Sequence, residues 1–110
     1  MSSFDPDTTL AELRLFLTRL GELGAGGRDS FLASWRDQEA AQMLITKLAE
    51  AVERLPEATI VSLPGVPWRQ VRGMRNRLVH AYHAVDVEVL WETVASDAPH
   101  LLAALDQPTY

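Results

Sequence analysis

Apolar residues recur every three or four positions almost from one end of the chain to the other, a spacing that admits little besides α-helix. Leu10, Leu13, Phe16, Leu17 and Leu20 make one stripe, and Thr9 and Glu12 at its start have the spacing of a capping box. Gly21, Gly24, Gly26 and Gly27 are expected to end this helix in a loose turn. Ser30 opens a short segment that carries Phe31, Leu32 and Trp35. A longer helix is predicted from Asp37 to Leu55, with Ala40, Ala41, Leu44, Leu48, Val52 and Leu55 turned inward and Pro56 as its stop.

Residues 56–67 read as a Pro/Gly connector, and the Ile60-Val61 pair inside it is too short for a strand. The next helix is expected to start at Pro67 or Trp68, because proline suits a first helical position, and to end near His83 or Ala84. Asp86 has the character of an N-cap for a following helix with Val87, Leu90, Trp91 and Val94 on its apolar face. Pro99 should kink or restart that helix, and Leu101, Leu102 and Leu105 continue the face. The predicted fold is all-α, an antiparallel bundle of four long helices plus one or two short segments, in a single domain over residues 1–110.

Composition narrows the class. The chain is 47% hydrophobic, which suits a folded core and argues against disorder. No apolar run reaches the roughly 18 residues that span a bilayer. Met1-Ser2-Ser3-Phe4-Asp5-Pro6 lacks the charged and apolar regions of a signal peptide, so a cytoplasmic location is expected, without a membrane partner. Cysteine is absent, which removes disulfides and thiolate metal sites, and no carboxylate or histidine grouping has metal-ligand spacing.

Positive charge is concentrated against an acidic total of −5. Arg69, Arg72, Arg75 and Arg77 supply four of the ten Lys and Arg side chains, and no Asp or Glu occurs between Glu57 and Asp86. A local cationic patch with a titratable imidazole suits a phosphate-bearing partner, RNA first of all, whereas overall acidity disfavours broad nonspecific binding. With Val71 set at zero on a helix of 100° per residue, Met74, Leu78 and Ala81 fall at about −60°, −20° and −80°, the core face. His80 falls near 180°, Asn76 near 140°, His83 near 120° and Arg72 near 100°, so His80 points away from its own core with Asn76 one turn before it. Arg75 and Tyr82 share an edge at about 40° and 20°, and Arg77 at about −120° faces either solvent or another helix. Taken on spacing alone, an arginine-rich outer face is also what any solvated helix presents. His100, near Pro99, reads as incidental, and Tyr82 as a half-buried packing residue.

The order Arg75-x4-His80-x-Tyr82 resembles the Arg-x4-His-x-Tyr motif of the HepT-like toxins, which belong to the HEPN superfamily of α-helical ribonucleases. Pro67-Trp68-Arg69 with Gly73-Met74-Arg75-Asn76, and Val85-Asp86 with Leu90-Trp91-Glu92, resemble the family's sequence on either side of that motif. Phe31-Leu32 and the helix from Lys47 to Arg54 are similar to its N-terminal half, so the likeness runs essentially the whole chain.

The resemblance implies the toxin of a type VII-like toxin–antitoxin module, a homodimer whose two Arg/His motifs meet in an interface cleft. It further implies a cognate minimal nucleotidyltransferase antitoxin, in complex with the toxin, that uses ATP to transfer AMP to the motif tyrosine, here Tyr82. The toxin itself would need no cofactor. The implied reaction is metal-independent cleavage of an RNA phosphodiester with the ribose 2′-OH as nucleophile. His80 would act as general base or acid, biased toward its neutral form by the arginines, and Arg75 would hold the nonbridging phosphate oxygens through two parallel hydrogen bonds. Asn76 would orient His80 or the phosphate, and Arg69, Arg72 and Arg77 would bind flanking phosphates. Two other classes fit the same residues: a noncatalytic subunit that presents substrate to a nucleotidyltransferase, and a structural bundle whose arginines bind an acidic partner.

Overall fold

The computed structural model describes residues 5–79 and 86–106, with backbone alone at residues 75 and 77–79. Among the described residues every regular element is helical: α1 (Pro6–Leu23), α2 (Arg28–Leu32), α3 (Trp35–Glu53), α4 (Glu57–Ser62), α5 (Trp68–Val79), α6 (Val87–Glu92) and α7 (Ala98–Asp106). A π-helical turn, Thr93–Asp97, joins α6 to α7, so the last three pieces make one continuous rod. Four long helical bodies and two short ones result, the all-α architecture that the periodicity predicts.

Ion pairs fix the relative directions of the bodies. Arg54, just past the end of α3, meets Glu12 near the start of α1 at 3.7 Å, so these helices run antiparallel. Arg14, early in α1, binds Asp106 at the end of α7 at 2.8 Å, while Gly24 beyond the end of α1 lies against Val94. The final rod is therefore antiparallel to α1 as well. Arg28 pairs with Glu88, tying α2 to α6.

One cluster forms the core. α1 contributes Leu13, Phe16, Leu17 and Leu20, α2 contributes Phe31, and the last rod contributes Leu90, Val94, Leu101 and Leu105. The ring of Phe31 packs tilted against Trp91 with 5.6 Å between centroids. α3 lies in the middle, touching α1, α2, α5 and α6. It buries Ile45, Ala49 and Ala51 in addition to Ala41, Leu48 and Val52, whereas Ala40 is exposed. An arc of about 160° is buried, because neighbours cover the helix on more than one side.

Several boundaries differ from the expected ones. α1 begins a turn before the Thr9/Glu12 box, because Asp5 caps it by accepting from the Asp7 amide at 3.2 Å and Pro6 occupies the first turn. Thr9 is consequently inside the helix and buried. α3 starts at Trp35, capped by the Ser34 hydroxyl that accepts from the Asp37 amide, and it ends at Glu53 before Pro56 is reached. Trp35 is exposed, with the Arg36 guanidinium over its ring at 5.3 Å. The 56–67 connector contains α4, which carries Ile60 and Val61 and starts immediately after Pro56. Asp86 caps α6 as expected, accepting from the amides of Glu88 and Val89. Pro99 is the second residue of α7, directly after the π turn. Among the described residues no helix is long and apolar enough to cross a membrane.

Candidate nucleic-acid interface

The arginine helix is held by its first residues. Trp68 is buried, and its indole N–H donates to the Leu63 carbonyl at 3.0 Å, across the turn between α4 and α5. The Pro67 carbonyl accepts from the Val71 amide at 3.2 Å, which sets α5 in register from its first turn. Val66, Trp68, Val71 and Met74 all enter the common core. The Pro67-Trp68 lead-in is thus a structural anchor, and the sequence reading had not placed Trp68 or Val66 in the core.

With that face buried, the opposite face is set by the helical period. Arg69, Arg72 and Asn76 are exposed there, spaced three, four and seven residues apart and so stacked along one side. Arg75 and Arg77 belong to α5 at positions where backbone alone is described. His80, Ala81, Tyr82 and His83 lie outside the described residues, so the expected catalytic histidine and modified tyrosine gain no structural placement. The core side of the predicted pattern is present in Val71 and Met74. His100 is exposed on α7.

Among the described residues the charge of Arg69 and Arg72 is uncompensated. Arg14, Arg28 and Arg54 each meet a carboxylate, and Arg36 lies over Trp35. Among the described residues no carboxylate lies within 4 Å of Arg69 or Arg72. The helix carries no acidic residue of its own. Two exposed guanidiniums one turn apart, with an amide side chain beyond them, can donate to successive anionic oxygens along the helix. Such an arrangement suits a phosphodiester backbone. Among the described residues no group of three His, Cys, Asp or Glu side chains is arranged to hold a metal ion.

An all-α bundle with an exposed arginine face on one anchored helix is the outline of a helical domain suited to an anionic partner. The chain belongs to the HepT-like ribonuclease family, whose model, described as "Ribonuclease HepT-like", matches residues 11–107. It is 38% identical over 73 residues to the probable ribonuclease HepT of Thermococcus cleftensis, a match covering 66% of each chain. It is 30% identical over 79 residues to a Methanocaldococcus jannaschii protein named "Putative RNase MJ0127", covering 72% of this chain and 65% of that one. The chain thus spans just under two thirds of the length of these relatives. No solved structure matches it significantly.

Proposed function

We propose that the protein is an endoribonuclease that binds single-stranded RNA along the outer face of α5 and cuts it at the Arg75–His80 motif. The observation that carries this reading is the exposed face of Arg69, Arg72 and Asn76, without a carboxylate partner among the described residues, in a chain of the HepT-like ribonuclease family. The spacing that assigned Arg72 and Asn76 to the outer side assigns His80 to it as well.

RNA contains its own nucleophile, so the protein has to position, shuttle protons and stabilise charge. The His80 imidazole takes the proton from the ribose 2′-OH, whose oxygen attacks phosphorus. The P–O5′ bond breaks, and the leaving 5′-oxygen receives a proton from a second imidazole, supplied by the other copy in a homodimer. The products are a 2′,3′-cyclic phosphate and a 5′-hydroxyl. The Arg75 guanidinium holds the two nonbridging oxygens as charge grows on them, Asn76 orients the imidazole or the phosphate, and Arg69, Arg72 and Arg77 bind flanking phosphates. No step requires a metal ion or a cofactor. In the same reading the protein is a toxin, silenced when a cognate nucleotidyltransferase places AMP from ATP on Tyr82, whose added bulk and negative charge occupy the arginine face.

The test is cleavage of labelled RNA by wild type, His80→Ala and Arg75→Ala, each with and without chelator. Wild type should cut in both conditions, and both variants should be folded and inactive. Full activity of His80→Ala would refute the mechanism. For the regulatory step, a cognate nucleotidyltransferase with ATP should add AMP mass to wild type and none to Tyr82→Phe.

A further inference from the structure

The turn that leads into α5 is fastened at both ends and in the middle. Pro64 and Pro67 fix φ at two of its positions. The Leu63 carbonyl accepts twice, from the Val66 amide at 3.2 Å and from the Trp68 indole N–H at 3.0 Å. The Trp68 amide donates to the Val66 carbonyl at 2.8 Å, so the same tryptophan is tied through its backbone and through its side chain. Val66 and Trp68 are both buried in the common core, whereas α4, on the other side of the turn, has no buried residue. The turn is therefore held from Val66 and Trp68 rather than from the helix before it. A buried tryptophan has to place its N–H on some acceptor. Here the acceptor lies across the turn, and the residue that follows Trp68 is the exposed Arg69.

We propose that Trp68 is a positioning residue for RNA: its bond to Leu63 sets the roll and the height of the first turn of α5, and through them the place of the Arg69 guanidinium. The proposal rests on the ribonuclease reading and adds to it a buried residue that never touches the nucleic acid. A slip of one residue along a helix turns a side chain by about 100° and moves it by about 1.5 Å. A binding constellation tolerates roughly 0.5 Å, so a small roll of the first turn is enough to lose a paired hydrogen bond to phosphate. Arg69 is exposed and meets no carboxylate among the described residues, so no ion pair there holds its side chain in place. Its backbone is what carries the positional information, and that backbone is set one residue earlier. The anchor is on the core side of α5 and leaves the outer face to RNA and to a second copy alike.

The experiment is a double-mutant cycle on the binding of a fluorescein-labelled, mixed-sequence single-stranded RNA. The parent is His80→Ala protein, which leaves the probe intact. Trp68 is replaced by phenylalanine and, separately, by benzothienylalanine, an isostere in which sulfur takes the place of the indole N–H. Each replacement is made alone and together with Arg69→Ala, and binding is measured well below the melting midpoint of every sample. Loss of the N–H should weaken binding about fivefold in either replacement. In the Arg69→Ala background the same replacements should cost less than about twofold, because the side chain that Trp68 places is already gone. In protein that keeps His80, the isostere should raise KM and leave kcat nearly unchanged. A purely structural tryptophan would give the reverse, fewer active molecules with an unaltered KM. Unchanged affinity in the isostere, or losses that add in full with Arg69→Ala, overturns the positioning role and leaves the ribonuclease reading standing. If the parent protein binds no RNA, the ribonuclease reading falls and the positioning role with it.

Discussion

The indole N–H of Trp68 donates to the Leu63 carbonyl at 3.0 Å, and this one bond joins the turn after α4 to the first residue of the arginine helix. The ring is buried against the common core, so Trp68 both fills space and fixes where α5 begins. Trp68→Ala is expected to cost about 3–5 kcal/mol, by cavity formation and by leaving the Leu63 carbonyl without its donor. Trp68→Phe keeps most of the apolar contact and should cost about 1–2 kcal/mol. Urea denaturation measures both. RNA affinity should fall in Trp68→Phe even at temperatures where the protein is fully folded, because Arg69 is the adjacent residue.

Close contact between Gly24 and the last rod gives a second, independent check on the packing. A Cβ at 24 would meet Val94 Cγ1 at 3.0 Å and the Trp91 ring at 3.5 Å. Val94 is fully buried, so it has little room to yield. Gly24→Ala is expected to destabilise by about 1–3 kcal/mol. Adding Val94→Ala should recover part of that loss, giving a favourable coupling in the double-mutant cycle. Strict additivity of the two changes would contradict the contact.

Which features were legible from sequence follows from how local their causes are. The stripe Leu13, Phe16, Leu17, Leu20 and the cap at Asp86 depend on neighbours a few residues away, and both appear as expected. The start of α1 involved two rival caps, and Asp5 followed by proline prevailed over Thr9 with Glu12. α4 is six residues long and bracketed by prolines, too short for periodicity to declare itself. Ile45 and Ala49 fell outside the predicted stripe because α3 is covered on several sides, a tertiary fact. The outer placement of Arg69, Arg72 and Asn76 was legible, since it needs only the helical period.

Asp86 bears directly on the chain just beyond the motif. Its carboxylate accepts from the Glu88 amide at 3.0 Å and the Val89 amide at 3.4 Å, satisfying two donors at the start of α6. Asp86→Ala should cost about 0.5–2 kcal/mol, and Asp86→Asn, which can still accept, only a few tenths. Thermal melts of the two variants should separate accordingly. Equal losses would mean that the charge, rather than the capping geometry, matters at this position.

Arg69 and Arg72 make the sharpest separation between stability and function. Both are exposed and neither meets a carboxylate among the described residues, so removing them breaks no ion pair there. Arg69→Ala and Arg72→Ala should each change unfolding free energy by less than about 0.5 kcal/mol. If each guanidinium neutralises one phosphate of a single strand, each substitution lowers the slope of log affinity against log salt by about 0.7. The loss should be uniform across RNA sequences, because phosphate contacts carry no base information. Lysine at either position should restore much of the salt slope but less of the affinity, since an ammonium cannot make the paired hydrogen bonds of a guanidinium. A salt slope identical to wild type in both alanine variants would remove the outer face of α5 from the RNA path and require the nucleic acid to approach from another side.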